Sequence, residues 1–295
     1  MKLNYFRLGS SALLVALAAA CSPLGQQIAP APTSSTYADA TATRDDNMAL
    51  GNPSGAVTDA TNYPNNYLLA KSQYTMSYSR DQGKPNWVSW HLSAAWLGST
   101  ARQDNFAADA SLPSSWYHVG ATSYSGSGFD RGHNCPSADR TGSVADNSAT
   151  FLMSNMMPQA PTNNQQTWAN LENYCRTLVN AGNELYIIAG SYGKGGTGTN
   201  GTYSTIDSGR ITVPSNCWKV VVVLPVGTSD VSRITSSTRV IAINTPNTNS
   251  ISTSWGSYRT TVDAIESATG YNLLSAVSST IQSSIESKVD TGPTN

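Results

Sequence analysis

The chain has 295 residues, with 17 Lys and Arg against 18 Asp and Glu, a formal net charge of -1, and 39% hydrophobic residues. Such a length suits one large domain behind an N-terminal leader. The near-neutral balance excludes a tight, wholly basic nucleic-acid coat protein, but a few local arginines would still suffice to seat one phosphate.

Lys2 and Arg7 precede an apolar run, Leu8 to Ala20, that ends at Cys21. A spanning helix needs roughly 20 apolar residues, so residues 1–21 read as an export signal and not as a membrane span. Ala18-Ala19-Ala20-Cys21 resembles a lipoprotein cleavage box that lacks the usual Leu three positions before the cysteine. Acylation of Cys21 and plain cleavage therefore both stay open. The expected location is secreted or periplasmic, with the membrane touched only through a lipid on Cys21. Residues 22–48 are Ala, Pro, Ser, Thr, Gln and Asp with few large apolar side chains, so they read as a disordered tether. That leaves 49–295 as the folded domain.

Within that domain four segments read as strands: Asn86 to Leu92, Glu184 to Gly190, Trp218 to Pro225 and Arg239 to Asn244. Gln165 to Val179 places Trp168, Leu171, Cys175 and Leu178 at helical spacing, with Thr162, Asn163 and Asn164 as cap candidates. Short helices are expected around Val262 to Glu266 and Tyr271 to Val277. Strands with few helices and no regular βα alternation predict an α+β fold around a mainly antiparallel sheet. Cys135, Cys175 and Cys217 are odd in number and lack CxxC spacing, so no zinc cage or complete disulfide framework is indicated, and one bridge remains open. Gly193 to Gly198 matches GxGxxG, but no helix follows to present its N-terminus to a pyrophosphate, so it reads as a glycine loop. GxSxG and HExxH are absent, which sets aside serine hydrolases and zincins.

The densest chemistry lies in Asp130-Arg131-Gly132-His133-Asn134-Cys135-Pro136, which places a base, a cation and turn residues together. Phosphodiester hydrolysis needs a base for water, a cation for the phosphate, and an acid or metal for the leaving oxygen. His133 and Arg131 can fill the first two roles, whereas His91 and His118 have no such company and read as structural. Further on, Asn164, Trp168 and Glu172 fall at i, i+4 and i+8 of the expected helix. Asn164 and Glu172 would then lie about 12 Å apart along an α-helical axis, too far for both to ligate one ion. Asn164 is the better direct oxygen ligand, with Glu172 accepting from the waters of a hydrated Mg²⁺ or Mn²⁺.

Asp130-Arg-Gly-His133 followed by Asn164-x7-Glu172 resembles the DNA/RNA non-specific endonuclease family, whose active site is the ββα-metal or His-Me finger motif. The resemblance runs from about Tyr63 to Asp290. It implies His133 as general base, Asn164 as the single protein ligand of Mg²⁺, and Glu172 holding metal-bound waters. It also implies Arg102 and Arg131 as phosphate contacts, and Asp130 as a residue that orients its neighbours. Arg176, one helical turn after Glu172, is either a second phosphate contact or half of a surface ion pair. The implied activity is Mg²⁺-dependent hydrolysis of DNA and RNA to 5′-phosphate products, with a protein inhibitor left open as a partner. The competing class is a surface nucleic-acid-binding lipoprotein with little turnover.

Overall fold

The computed structural model describes residues 41–295. The export signal, Cys21 and most of the expected tether lie outside the described residues. In chain order the strands among the described residues are β1 (Tyr67–Ala70), β2 (Thr75–Ser79), β3 (Lys84–Leu92), β4 (Asp130–His133), β5 (Met156–Gln159), β6 (Asn183–Tyr192), β7 (Gly196–Gly198), β8 (Gly201–Tyr203), β9 (Thr205–Ile206), β10 (Ile211–Thr212), β11 (Asn216–Pro225), β12 (Arg239–Pro246) and β13 (Arg259–Thr260). The helices are α1 (Val144–Ala149), α2 (Ala169–Asn180), α3 (Asp230–Arg233), α4 (Val262–Thr269) and α5 (Ser279–Ile285).

The four segments read as strands from sequence become β3, β6, β11 and β12, the middle of a seven-stranded sheet in the order β1-β2-β3-β6-β11-β12-β13. Every pairing in it is antiparallel. Branched side chains suit a pleated surface with cover on both sides. Val221 of β11 accordingly lies between Ile187 of β6 and Ile241 of β12. Alternation along β11 sends Trp218, Val220 and Val222 to a core with Val262 and Ile265 of α4 and Ile285 of α5. Val221 on the other face meets Leu171 and Cys175 of α2, with Trp90 and Trp168. Each fully buried Val, Leu or Ile contributes about 1.5–3 kcal/mol, so the sheet is a rigid platform with helices on both faces, the expected α+β class.

Three expectations are corrected. The helix after the Asn-rich loop starts earlier than Gln165: Asn163–Trp168 is a π-helical turn that runs into α2, and Thr162 makes no capping bond. Asn164 is inside the turning chain, its N–H donating to the Ala160 carbonyl at 2.9 Å, so it is not a cap. Tyr271 to Val277 forms turns, and the second C-terminal helix is α5. Finally, ordered packing begins before residue 49. Ser89 Oγ donates to the Asn47 carbonyl at 2.6 Å, and the Arg44 guanidinium lies 4.2 Å from the centre of the Trp96 ring. Cys135, Cys175 and Cys217 are all free and buried. The glycine loop continues into β7, with Gly193 and Gly195 at positive φ. None of the described helices is long and apolar enough to cross a membrane.

Candidate active site

The short ribbon β4–β5 carries the Asp-Arg-Gly-His sequence, with Gly132 opposite Met157 and His133 opposite Met156. A Cβ on Gly132 would meet the Gln159 side chain at 2.4 Å, so only glycine lets β5 close this tightly. Just beyond His133 the chain is pinned by buried Asn155, which accepts from the Cys135 N–H at 3.0 Å and donates to the Cys135 carbonyl at 2.8 Å. With α2 alongside, the arrangement is strand, strand, helix. Arg102, Arg131, His133, Asn164 and Glu172 line one cavity of about 210 Å³. A neighbouring cavity of about 410 Å³ shares Arg102, Arg131 and Asn164 and adds Asp130. All six residues singled out from sequence as catalytic or metal-binding thus meet at one place.

His133 is half-buried between the edges of Phe106 and Phe151, whose ring centres lie 5.7 and 5.1 Å away. Its Nε2 is buried and has no hydrogen-bond partner. Burial, then the Arg102 and Arg131 charges, push its pKa down to about 3 against the opposing Arg131 carbonyl. The imidazole is therefore neutral, with the Nε2 lone pair unengaged. Arg131 stacks on Phe106 at 3.6 Å and donates to the Ala121 carbonyl, and among the described residues it has no carboxylate partner. Arg102 is paired with Asp104 at 2.7 Å and donates to Ser137 Oγ at 2.9 Å.

Asp130 Oδ2 accepts from Asn164 Nδ2 and from Gln165 Nε2, both at 2.8 Å. The first bond fixes the amide, so Asn164 Oδ1, a neutral hard donor, is left for the cavity. The π turn also changes the helical count, because an extra residue per turn breaks the expected i, i+4, i+8 stripe. Trp168 points into the core while Asn164 and Glu172 both line the cavity. Glu172 gives Oε1 to Lys219 Nζ at 3.1 Å. Burial raises its pKa, opposed by Lys219 and Arg176. An amide oxygen and a carboxylate with one oxygen uncommitted fit a hydrated hard cation. Arg176 is engaged elsewhere: it donates to buried Asp139 at 2.7 Å, so of its two sequence readings the geometry gives the ion pair.

Sequence reasoning passed over Lys219 and Asp139. The signal was there, because a lysine inside an apolar strand must find a partner. Tyr124, in the loop before β4, is buried, and Tyr117 is tied to Asp207. His118 Nε2 lies 3.0 Å from the Pro113 carbonyl, in keeping with a structural role.

A histidine, two arginines and an Asn-Glu pair thus share one cavity on a strand-strand-helix scaffold. The chain belongs to the DNA/RNA non-specific endonuclease family, whose sequence model matches residues 52–280. It is 50% identical to a nuclease of Nostoc sp. over 95% of this chain and 96% of that one. It is 32% identical to nuclease C1 of Cunninghamella echinulata over 53% of this chain and 65% of that one. With human mitochondrial endonuclease G it shares 30% identity over 54% of this chain and 56% of that one. In fold it is similar to a chain of the EndoG/EndoGI complex, with a TM-score of 0.63 and 22% identity over 81% of this chain and 95% of that one. The protein is an enzyme, a nuclease acting on nucleic acid.

Proposed function

We propose that this enzyme is an exported, Mg²⁺-dependent endonuclease that hydrolyses DNA and RNA without regard to sequence or sugar. The reading is carried by one observation: His133, whose Nε2 has no partner, shares a cavity with Arg131, a guanidinium without a carboxylate partner among the described residues, and with the Asn164 amide. His133 takes a proton from water as the water oxygen attacks phosphorus. Arg131 and Arg102 hold the non-bridging phosphate oxygens, where negative charge accumulates. The bond from phosphorus to the 3′ oxygen breaks and that oxygen takes a proton from solvent water, leaving a 5′-phosphate and a 3′-hydroxyl. Asn164 would hold Mg²⁺ directly, with Mn²⁺ as a substitute, and Glu172 would accept from its waters. Such an ion supplies Lewis-acid stabilisation of the phosphate and the leaving oxygen. Asp130 orients the Asn164 amide.

These contacts go to phosphate and not to base edges or the 2′-hydroxyl, so neither sequence nor sugar need be read. The leader supports export, with a lipid on Cys21 as the one proposed membrane link. The test is supercoiled plasmid, and separately a structured RNA, incubated with the purified protein and Mg²⁺ or with chelator. Nicking of both that chelator abolishes and Mg²⁺ or Mn²⁺ restores is the expected result. Binding without cleavage would point to a non-hydrolytic capture protein.

A further inference from the structure

Lys219 lies in mid-strand, opposite Ala189 of β6 and Ile243 of β12, and is 1% exposed. An ammonium there has lost its hydration and needs compensation from neighbouring groups. It finds three. Glu172 Oε1 accepts at 3.1 Å, and the Trp168 and Trp90 rings present their faces at 4.2 and 5.6 Å. The box is itself braced, because Trp90 Nε1 donates to Asp139 at 3.0 Å and Asp139 accepts from Arg176 at 2.7 Å. Trp168 is the last residue of the π turn that carries Asn164, whereas Glu172 is on α2. One buried cation therefore touches both the π turn that carries Asn164 and the helix that carries Glu172.

We propose that Lys219 is a positioning residue of the nuclease site, which holds Glu172 by one carboxylate oxygen so that the other faces the cavity. This rests on the role given to Glu172 above. The ion pair is too deep to serve solubility. Nor does stability require it, since a buried pair is often replaced by apolar residues at no loss. Its use lies in aim: a carboxylate anchored on the sheet cannot rotate away from the cavity when the helix breathes.

The test compares Lys219→Met, Glu172→Gln and the double variant in the full-length protein. Lys219→Met is expected to lower kcat by about 10- to 100-fold, the usual cost of losing a residue that orients a metal site, with KM for DNA unchanged. Mn²⁺ affinity, measured by calorimetry without substrate, should fall over the same range. In the Glu172→Gln background Lys219→Met should add no more than about a twofold change, because a residue that acts through Glu172 then has nothing left to position. Should the single variant fold poorly because a carboxylate is stranded, the double variant removes both charges, and its comparison with Glu172→Gln still decides. A further loss in the double variant as large as in Lys219→Met alone would overturn the proposal. So would normal rate and Mn²⁺ affinity in Lys219→Met while Glu172→Gln is crippled, an outcome that leaves the nuclease reading standing. Full activity of Glu172→Gln would instead remove the role of Glu172, and the inference with it.

Discussion

Two histidines use the same chemical groups to opposite ends. His91, fully buried in β3, accepts the Asp45 N–H on Nδ1 at 3.3 Å, and its Nε2 faces Glu184 Oε2 at 3.3 Å. Glu184 is satisfied in turn by Arg233 and by the Gly227 N–H. Every valence is spent, and the cluster ties the start of the folded domain to the sheet. His133, at the end of β4, is flanked by two arginines, packed by phenylalanines, and left with an empty Nε2. An unsatisfied buried nitrogen costs stability. Its presence in a cavity lined by cations therefore marks a group kept for reaction with something that comes from outside.

The contrast is tested first at Asn164, the proposed metal ligand, where the largest effect is expected. Asn164→Ala should lose orders of magnitude in rate on both DNA and RNA, and full activity at modest Mg²⁺ would refute the assignment. Next, His133→Ala should lower the rate by about 10²- to 10⁴-fold, the range for a general base, without loss of stability. The sign of its pH dependence is set by the lowered pKa. Between an unfolded value of about 6.5 and a folded value of about 3, the unfolded chain binds a proton that the folded one refuses. Wild-type stability thus falls through that window, and His133→Ala should lose less of it in acid melts. His91→Ala should do the reverse, destabilising by about 1–3 kcal/mol through the stranded Oε2 of Glu184 while leaving the rate per folded molecule intact. A collapse of activity in well-folded His91→Ala would blur the distinction.

What could be read from sequence follows this division. The four central strands were legible because branched apolar runs with cover on both faces have few other uses. The outer strands β1 and β13, and β2 beside β1, were not, since their pairing comes from neighbours and not from pattern. His133, Arg131 and Asn164 were legible as chemistry, whereas β4 itself carries no strand pattern and is extended because β5 pairs with it. The π turn was invisible, and with it the separation of Asn164 and Glu172 from the buried Trp168. Lys219 was hidden in an apolar run, because only tertiary pairing puts it beneath Glu172.

The smallest expected effect concerns the leader. Removing residues 1–39 should leave turnover unchanged, whereas removing residues 1–48 also takes away Asp45 and Asn47, and should lower the melting temperature before it lowers the rate per folded molecule. A large activity loss in the shorter deletion would make the leader part of the catalytic fold.

The most direct test of a neutral His133 acting as base is the pH dependence of chemical rescue. Wild-type kcat/KM should show no acid limb near the ordinary histidine value of about 6.5. In His133→Gly, added imidazole should restore part of the rate, and the rescue should rise through about pH 7 with the neutral form of the free base. An unrescued variant, or an undiminished rate in folded His133→Ala, would contradict the account.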